Sequence, residues 1–101
     1  MRNHTKVYFN FFNYGEQDFI PCEMCGAKAV DIHHIEKRNK IKNDFIENLV
    51  GLCRDCHIKA ESDGCFNMFC RIQHLENVCS QVYALINLNK RLKNEFKKGK
   101  N

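Results

Sequence analysis

Cys22-Glu-Met-Cys25 and, further along, Leu49-Val-Gly-Leu-Cys53-Arg-Asp-Cys56-His57 are the stretches that decide how this chain folds. A gap of two residues lets both sulfurs of a pair point at one ion, and two such knuckles supply the four soft ligands of a tetrahedral zinc. The 27 residues between Cys25 and Cys53 leave room for two strands and a loop that bring the knuckles together. A single Cys-x-x-Cys is shared with redox proteins, whereas two at this spacing read as a zinc site made by Cys22, Cys25, Cys53 and Cys56. Four thiolates close the coordination sphere, so this zinc is structural and leaves any chemistry to other residues.

Working outward from the knuckles, Lys28 to Ile35 alternates as a strand, with Val30, Ile32 and His34 on one face and Ala29, Asp31 and His33 on the other. Lys37 to Asn43 is polar and basic and reads as a loop. Leu49, Val50 and Leu52 form a second short strand, and Arg54 to Glu61 makes two helical turns stopped by Asp63-Gly64. Beyond Gly64 a long helical pattern follows, with Met68, Ile72, Leu75, Cys79, Val82 and Ile86 in one stripe, widened by Phe69, Val78, Leu85 and Leu92. The expected fold is a small α+β domain. It divides into an aromatic N-terminal extension (1–20), a zinc core (21–64) and a long helix with a basic tail (65–101).

At 101 residues, 44% hydrophobic and 28% charged, the chain has the composition of one small globular domain. It has no apolar run of about 18 residues for a membrane span, and the patch Val7 to Phe12 is too short for a signal peptide. Seven cysteines is an odd number, which suits a metal site in a reducing, intracellular compartment better than a disulfide framework. The net charge of +4 is concentrated in the tail from Lys90, which carries +5, while the rest carries −1. Such a tail suits the phosphates of nucleic acid, or simply keeps a terminus solvated.

Three features nested within the cysteine frame carry the chemistry: Asp31-Ile32-His33-His34-Ile35, then Asn48-Leu49-Val50, then His57 beside Cys56. Cleaving a phosphodiester needs a base to activate water and a divalent ion to stabilise developing charge. Histidine serves both needs, and an amide nearby can orient it. In order and spacing, Cys22-x-x-Cys25, His33-His34-Ile35 and Asn48-Leu49-Val50-x-Leu52-Cys53-x-x-Cys56-His57 resemble the zinc-stapled branch of the HNH endonucleases.

The resemblance implies a ββα-metal fold and a DNA endonuclease or nickase, typical of bacteria and their phages. It implies His34 as general base and His33 and His57 as ligands of one catalytic divalent ion. Asn48 would either orient His34 or join the metal shell. Many relatives carry a further histidine one turn after His57; here that position is Glu61, which is either a ligand favouring Mg²⁺ or Mn²⁺ or a solvated glutamate. Lys37, Arg38, Lys40 and Lys42 would lie near bound DNA. Arg54 and Lys59 are phosphate contacts or ordinary helix surface.

Bland roles account for the rest. His4 and His74 read as satisfied polar residues, Asn39 and Asn43 as loop residues, and Cys65, Cys70 and Cys79 as core thiols of the long helix. The competing functions are a non-catalytic zinc-ribbon module that binds nucleic acid, or an adaptor working through its long helix. That helix is too long for the zinc core to cover, so its stripe is expected to pair with a second chain in a homodimer, or to lie under the aromatic segment Tyr8 to Phe19. One difficulty is built into the pattern. Neighbours in a strand face opposite ways, so His33 and His34 share a site only through water, a bulge, twist or a strand end.

Overall fold

A computed structural model describes residues 1–37 and 43–98. The order is α1 (Asn3–Phe12), β1 (Asp31–His34), a 3-10 turn (Ile46–Asn48), β2 (Leu49–Leu52), α2 (Arg54–Ser62) and α3 (Gly64–Lys98). The strands pair antiparallel with His33 opposite Val50 and His34 opposite Leu49. The first strand is shorter than the Lys28 to Ile35 expected, because Pro21 and Lys28 form a separate bridge beside the first knuckle. That knuckle turns at Gly26 (φ +81°), where a side chain would be strained, and the Gly26 amide donates to the Cys22 carbonyl.

The two-residue period of β2 divides the core. Val50 and Leu52 face α2 and α3, packing with Cys22, Ile35, Ala60 and Cys70. Leu49 faces the other way, against Tyr8 and Ile20, with Phe9, Phe12 and Ile32 alongside. Both faces of the hairpin are therefore covered, and every residue of β2 is buried.

The cover on the second face is α1, a helix where the sequence reading expected only an aromatic extension. Tyr8 and Phe12, four residues apart, put their rings 4.9 Å apart on its inner side. Asn13 ends the helix in the left-handed region at φ 59°. Tertiary burial of these rings outweighs their mediocre helix propensity.

Asp63 divides α2 from α3. Its backbone amide donates to the Lys59 carbonyl at the end of α2, and its side chain accepts from the amides of Cys65 and Phe66 at the start of α3. The expected stop signal is also a start signal.

The long helix turns a different face inward from the one expected. Its buried side is Cys70 and His74, with Phe66, Asn67, Asn77 and Gln81 half-buried along the same stripe. Met68, Ile72, Leu75, Val82 and Ile86 are exposed, as are Cys65 and Cys79, so of the three expected core thiols only Cys70 is one. The aromatic segment does not cover that stripe either. Phe12 meets His74, and Gln81 donates to the Phe11 carbonyl.

The reason for the inward face is Glu23. Its carboxylate, at the first knuckle, accepts from Tyr8 Oη (2.7 Å), the Gly51 amide (3.0 Å), His74 Nδ1 (2.9 Å) and Asn77 Nδ2 (2.8 Å). His74 Nε2 meets the Ile46 carbonyl. One buried carboxylate thus ties α1, β2 and α3 to the knuckle, and α3 must present His74 and Asn77 to it. His74 is the satisfied polar residue expected. Beyond Gln81 the helix projects, giving overall extents of 60 × 31 × 27 Å. No helix among the described residues is long and apolar enough to cross a membrane.

Candidate metal centre and cleft

The four expected cysteines converge. Cys22, Cys25, Cys53 and Cys56 place their sulfurs within 4.8 Å of one another, close enough to hold one ion. Cys53 also caps α2, its sulfur accepting from the Cys56 amide at 3.4 Å. Burial pushes the Cys22 thiol up, but the amides of Cys53, Cys25 and Met24 aimed at its sulfur bring it down to about 7. A sulfur held that way gives up its proton to a metal readily.

A second cluster lies where β1 ends against α2. His33, His57 and Glu61 offer ligand atoms within 4.8 Å of one another. Glu61 Oε1 stands 3.1 Å from His57 Nε2 and 3.8 Å from His33 Nδ1, so three donors surround one point. The residues expected as metal ligands are thus brought together, Glu61 included.

Each imidazole is held by its other nitrogen. His33 Nε2 donates to Asn67 Oδ1 at 2.8 Å, and Asn67 Nδ2 in turn donates to the Ile35 carbonyl. His57 Nδ1 donates to Asp31 Oδ2 at 2.9 Å, and Arg54 braces the same carboxylate. Such outer contacts fix the tautomer and leave the other nitrogen of each ring toward the point the three groups share. Burial also lowers the His33 pKa, favouring the neutral ring that binds metals. Asn67 was invisible in the sequence because it acts from α3, across the fold. Asp31 had a signal, the alternation that puts it on the His33 face.

His34 faces the other side of the hairpin, as alternation requires. Its Nε2 meets Asp44 Oδ1 at 2.8 Å, and its ring lies edge-on to His4 of α1 at 4.8 Å. Yet His33, His34, His57 and Glu61 all line one open cleft of about 610 Å³, joined there by Arg2 and Lys37. The strand end resolves the facing difficulty: β1 stops at His34, and the cleft wraps around its tip.

Asn48 is placed differently from either alternative. Its side chain hydrogen-bonds to neither His34 nor the ligand cluster. It accepts from the Glu36 amide and donates to the carbonyls of Glu36 and Asn43, clasping the chain at both of those residues. Asn43, expected as a loop residue, is buried there and donates to the Lys37 carbonyl. Among the expected cations, Lys59 sits over the Phe66 ring and Arg54 pairs with Asp31, while Arg38, Lys40 and Lys42 lie outside the described residues.

Compared with known proteins, residues 22–63 match the family model for HNH endonucleases. No curated protein and no solved structure matches the chain. The matched segment spans both knuckles, the hairpin and α2, which together make the small ββα unit with its four-cysteine cluster. Residues 22–63, under half of the chain, are thus an HNH-type segment, in which two Cys-x-x-Cys knuckles flank the hairpin and the pairing of hairpin with α2 is consistent with a ββα-metal fold.

Proposed function

We propose that this protein is a metal-dependent endonuclease that hydrolyses DNA phosphodiester bonds, cutting one or both strands. The observation that carries this reading is the convergence of His33 Nδ1, His57 Nε2 and Glu61 Oε1 in a cleft that also contains His34. Binding nucleic acid requires none of these groups. The four-cysteine cluster fits structural Zn²⁺, since thiolates select soft ions and leave no open position.

The second cluster, two imidazoles and a carboxylate with open positions, fits a catalytic divalent ion, Zn²⁺ or Co²⁺ through its imidazoles and Mn²⁺ or Mg²⁺ through its carboxylate and open positions. Such an ion, when bound, stabilises charge developing on the phosphate and the leaving oxygen. His33, His57 and Glu61 would hold it, with Asn67 and Asp31 orienting the two imidazoles. His34 acts as general base. With Nε2–H given to the Asp44 carboxylate, its lone pair is on Nδ1, the atom that takes the proton of the attacking water. Asn48 serves by holding Glu36, just past β1, beside Asn43. Arg2 and Lys37 at the cleft suit DNA phosphates, and the exposed Lys90, Arg91, Lys93 and Lys97 suit flanking duplex.

Purified protein incubated with supercoiled plasmid tests the reading. Nicked or linear product should require Mg²⁺ or Mn²⁺, and His34→Ala should lose about 10²–10⁴-fold in rate with DNA binding retained. Binding without cleavage under any divalent ion would instead make the chain a non-catalytic nucleic-acid module.

A further inference from the structure

We propose that His4, His34 and Asp44 form another divalent-cation site, of zinc-like preference, whose filling removes His34 from its role as base. The proposal rests on the endonuclease reading for its consequence but not for the site itself. The three residues come from α1, the tip of β1 and the segment before the 3-10 turn, and their ligand atoms lie within 4.8 Å of one another. His34 Nε2 and Asp44 Oδ1 are already 2.8 Å apart, and the His4 ring is beside His34 at 4.8 Å. Tetrahedral zinc with bonds of about 2.0–2.1 Å puts its ligands about 3.4 Å apart, so modest side-chain rotation of His4 closes the set.

This donor set, the same as that of His33, His57 and Glu61, takes Zn²⁺ or Co²⁺ more readily than Mg²⁺. Asn3 Nδ2 donates to Asp44 Oδ2 at 3.2 Å, steadying the carboxylate from the helix that brings His4. Helix α1 lies outside residues 22–63, so His4 joins His34 and Asp44 from beyond the matched segment.

The consequence follows from the proton count on one ring. Neutral His34 has a single lone pair. When Nε2 coordinates an ion, the ring proton resides on Nδ1, and no nitrogen remains to accept a proton from water. Zinc at this site therefore switches the base off, and it also clamps α1 onto the hairpin.

Equilibrium dialysis against Zn²⁺, with bound metal counted per folded chain, tests the site without reference to activity. The parent should bind three ions: one at the cysteines, one at His33, His57 and Glu61, and one here. His4→Ala and, as a second variant that keeps side-chain size, Asp44→Asn should each bind two. His57→Ala should also bind two, and its combination with His4→Ala one. A His4→Ala chain that binds as many ions as the parent overturns the site. For the consequence, the zinc concentration that halves Mn²⁺-dependent plasmid cleavage should rise at least tenfold in His4→Ala, whose cleavage without zinc should match the parent. An unchanged half-inhibitory concentration overturns the switch. Should the parent fail to cleave at all, the endonuclease reading falls while the ion count still decides the site.

Discussion

Replacing Glu23 by alanine should destabilise this protein about as much as truncating a large side chain of its core. The carboxylate accepts from Tyr8, Gly51, His74 and Asn77, all at 2.7–3.0 Å. Tyr8 and His74 are almost fully buried, so water cannot take its place. Leaving one buried donor unsatisfied costs about 1–3 kcal/mol, and stripping one partner from a buried charged pair costs about 3–5 kcal/mol. These terms overlap, since all four donors share two oxygens, so the expected loss is about 3–5 kcal/mol. Small domains are stable by about 5–15 kcal/mol, which makes this a large fraction.

Urea denaturation at neutral pH, with zinc saturating and bound metal counted in each sample, is the assay. Glu23→Gln separates charge from shape, and should lose less than the alanine variant. Burial would raise the Glu23 pKa, but donation from His74, Asn77 and Tyr8 takes it below the ordinary carboxylate value. A carboxylate whose pKa is depressed on folding contributes stability above its unfolded pKa, about 4.3, and that contribution disappears as pH falls through the folded value. The gap between parent and Glu23→Gln should therefore narrow on acidification below about pH 4.3. A Glu23→Ala chain with its metal retained and less than about 1 kcal/mol lost would refute the view that this carboxylate organises the core.

Three further outcomes are expected. Cys53→Ser should lose the cysteine-held ion and several kcal/mol of stability, because binding that ion is part of folding; metal analysis showing full occupancy and an unchanged fold would contradict this. Gly51→Ala should cost about 1–3 kcal/mol in denaturation, since its Cβ would come 2.8 Å from Tyr8 Oη, and Tyr8 is buried and bound to Glu23. Leu85→Asp, on the projecting part of α3 and half exposed, should stay within about 0.5 kcal/mol of the parent with its zinc intact, and a marked loss would mean the stripe is covered.

What the sequence determined by itself was whatever depends on neighbours along the chain. The two Cys-x-x-Cys knuckles, the alternation that sends His33 and His34 to opposite faces, and the i, i+4 spacing of His57 and Glu61 are local periodicities, legible without coordinates. Only the tertiary structure decided which surfaces meet. The apolar stripe of α3 was the natural candidate for burial. The helix instead turns inward the face bearing Cys70, His74 and Asn77, because a buried carboxylate 51 residues before His74 demands its donors. Asn67 holding His33, and α1 covering the hairpin to bring His4 beside His34, are likewise long-range contacts. Periodicity reports that a segment has a face. It cannot report a polar partner on another segment, and here the cost of leaving that partner unsatisfied chose the face.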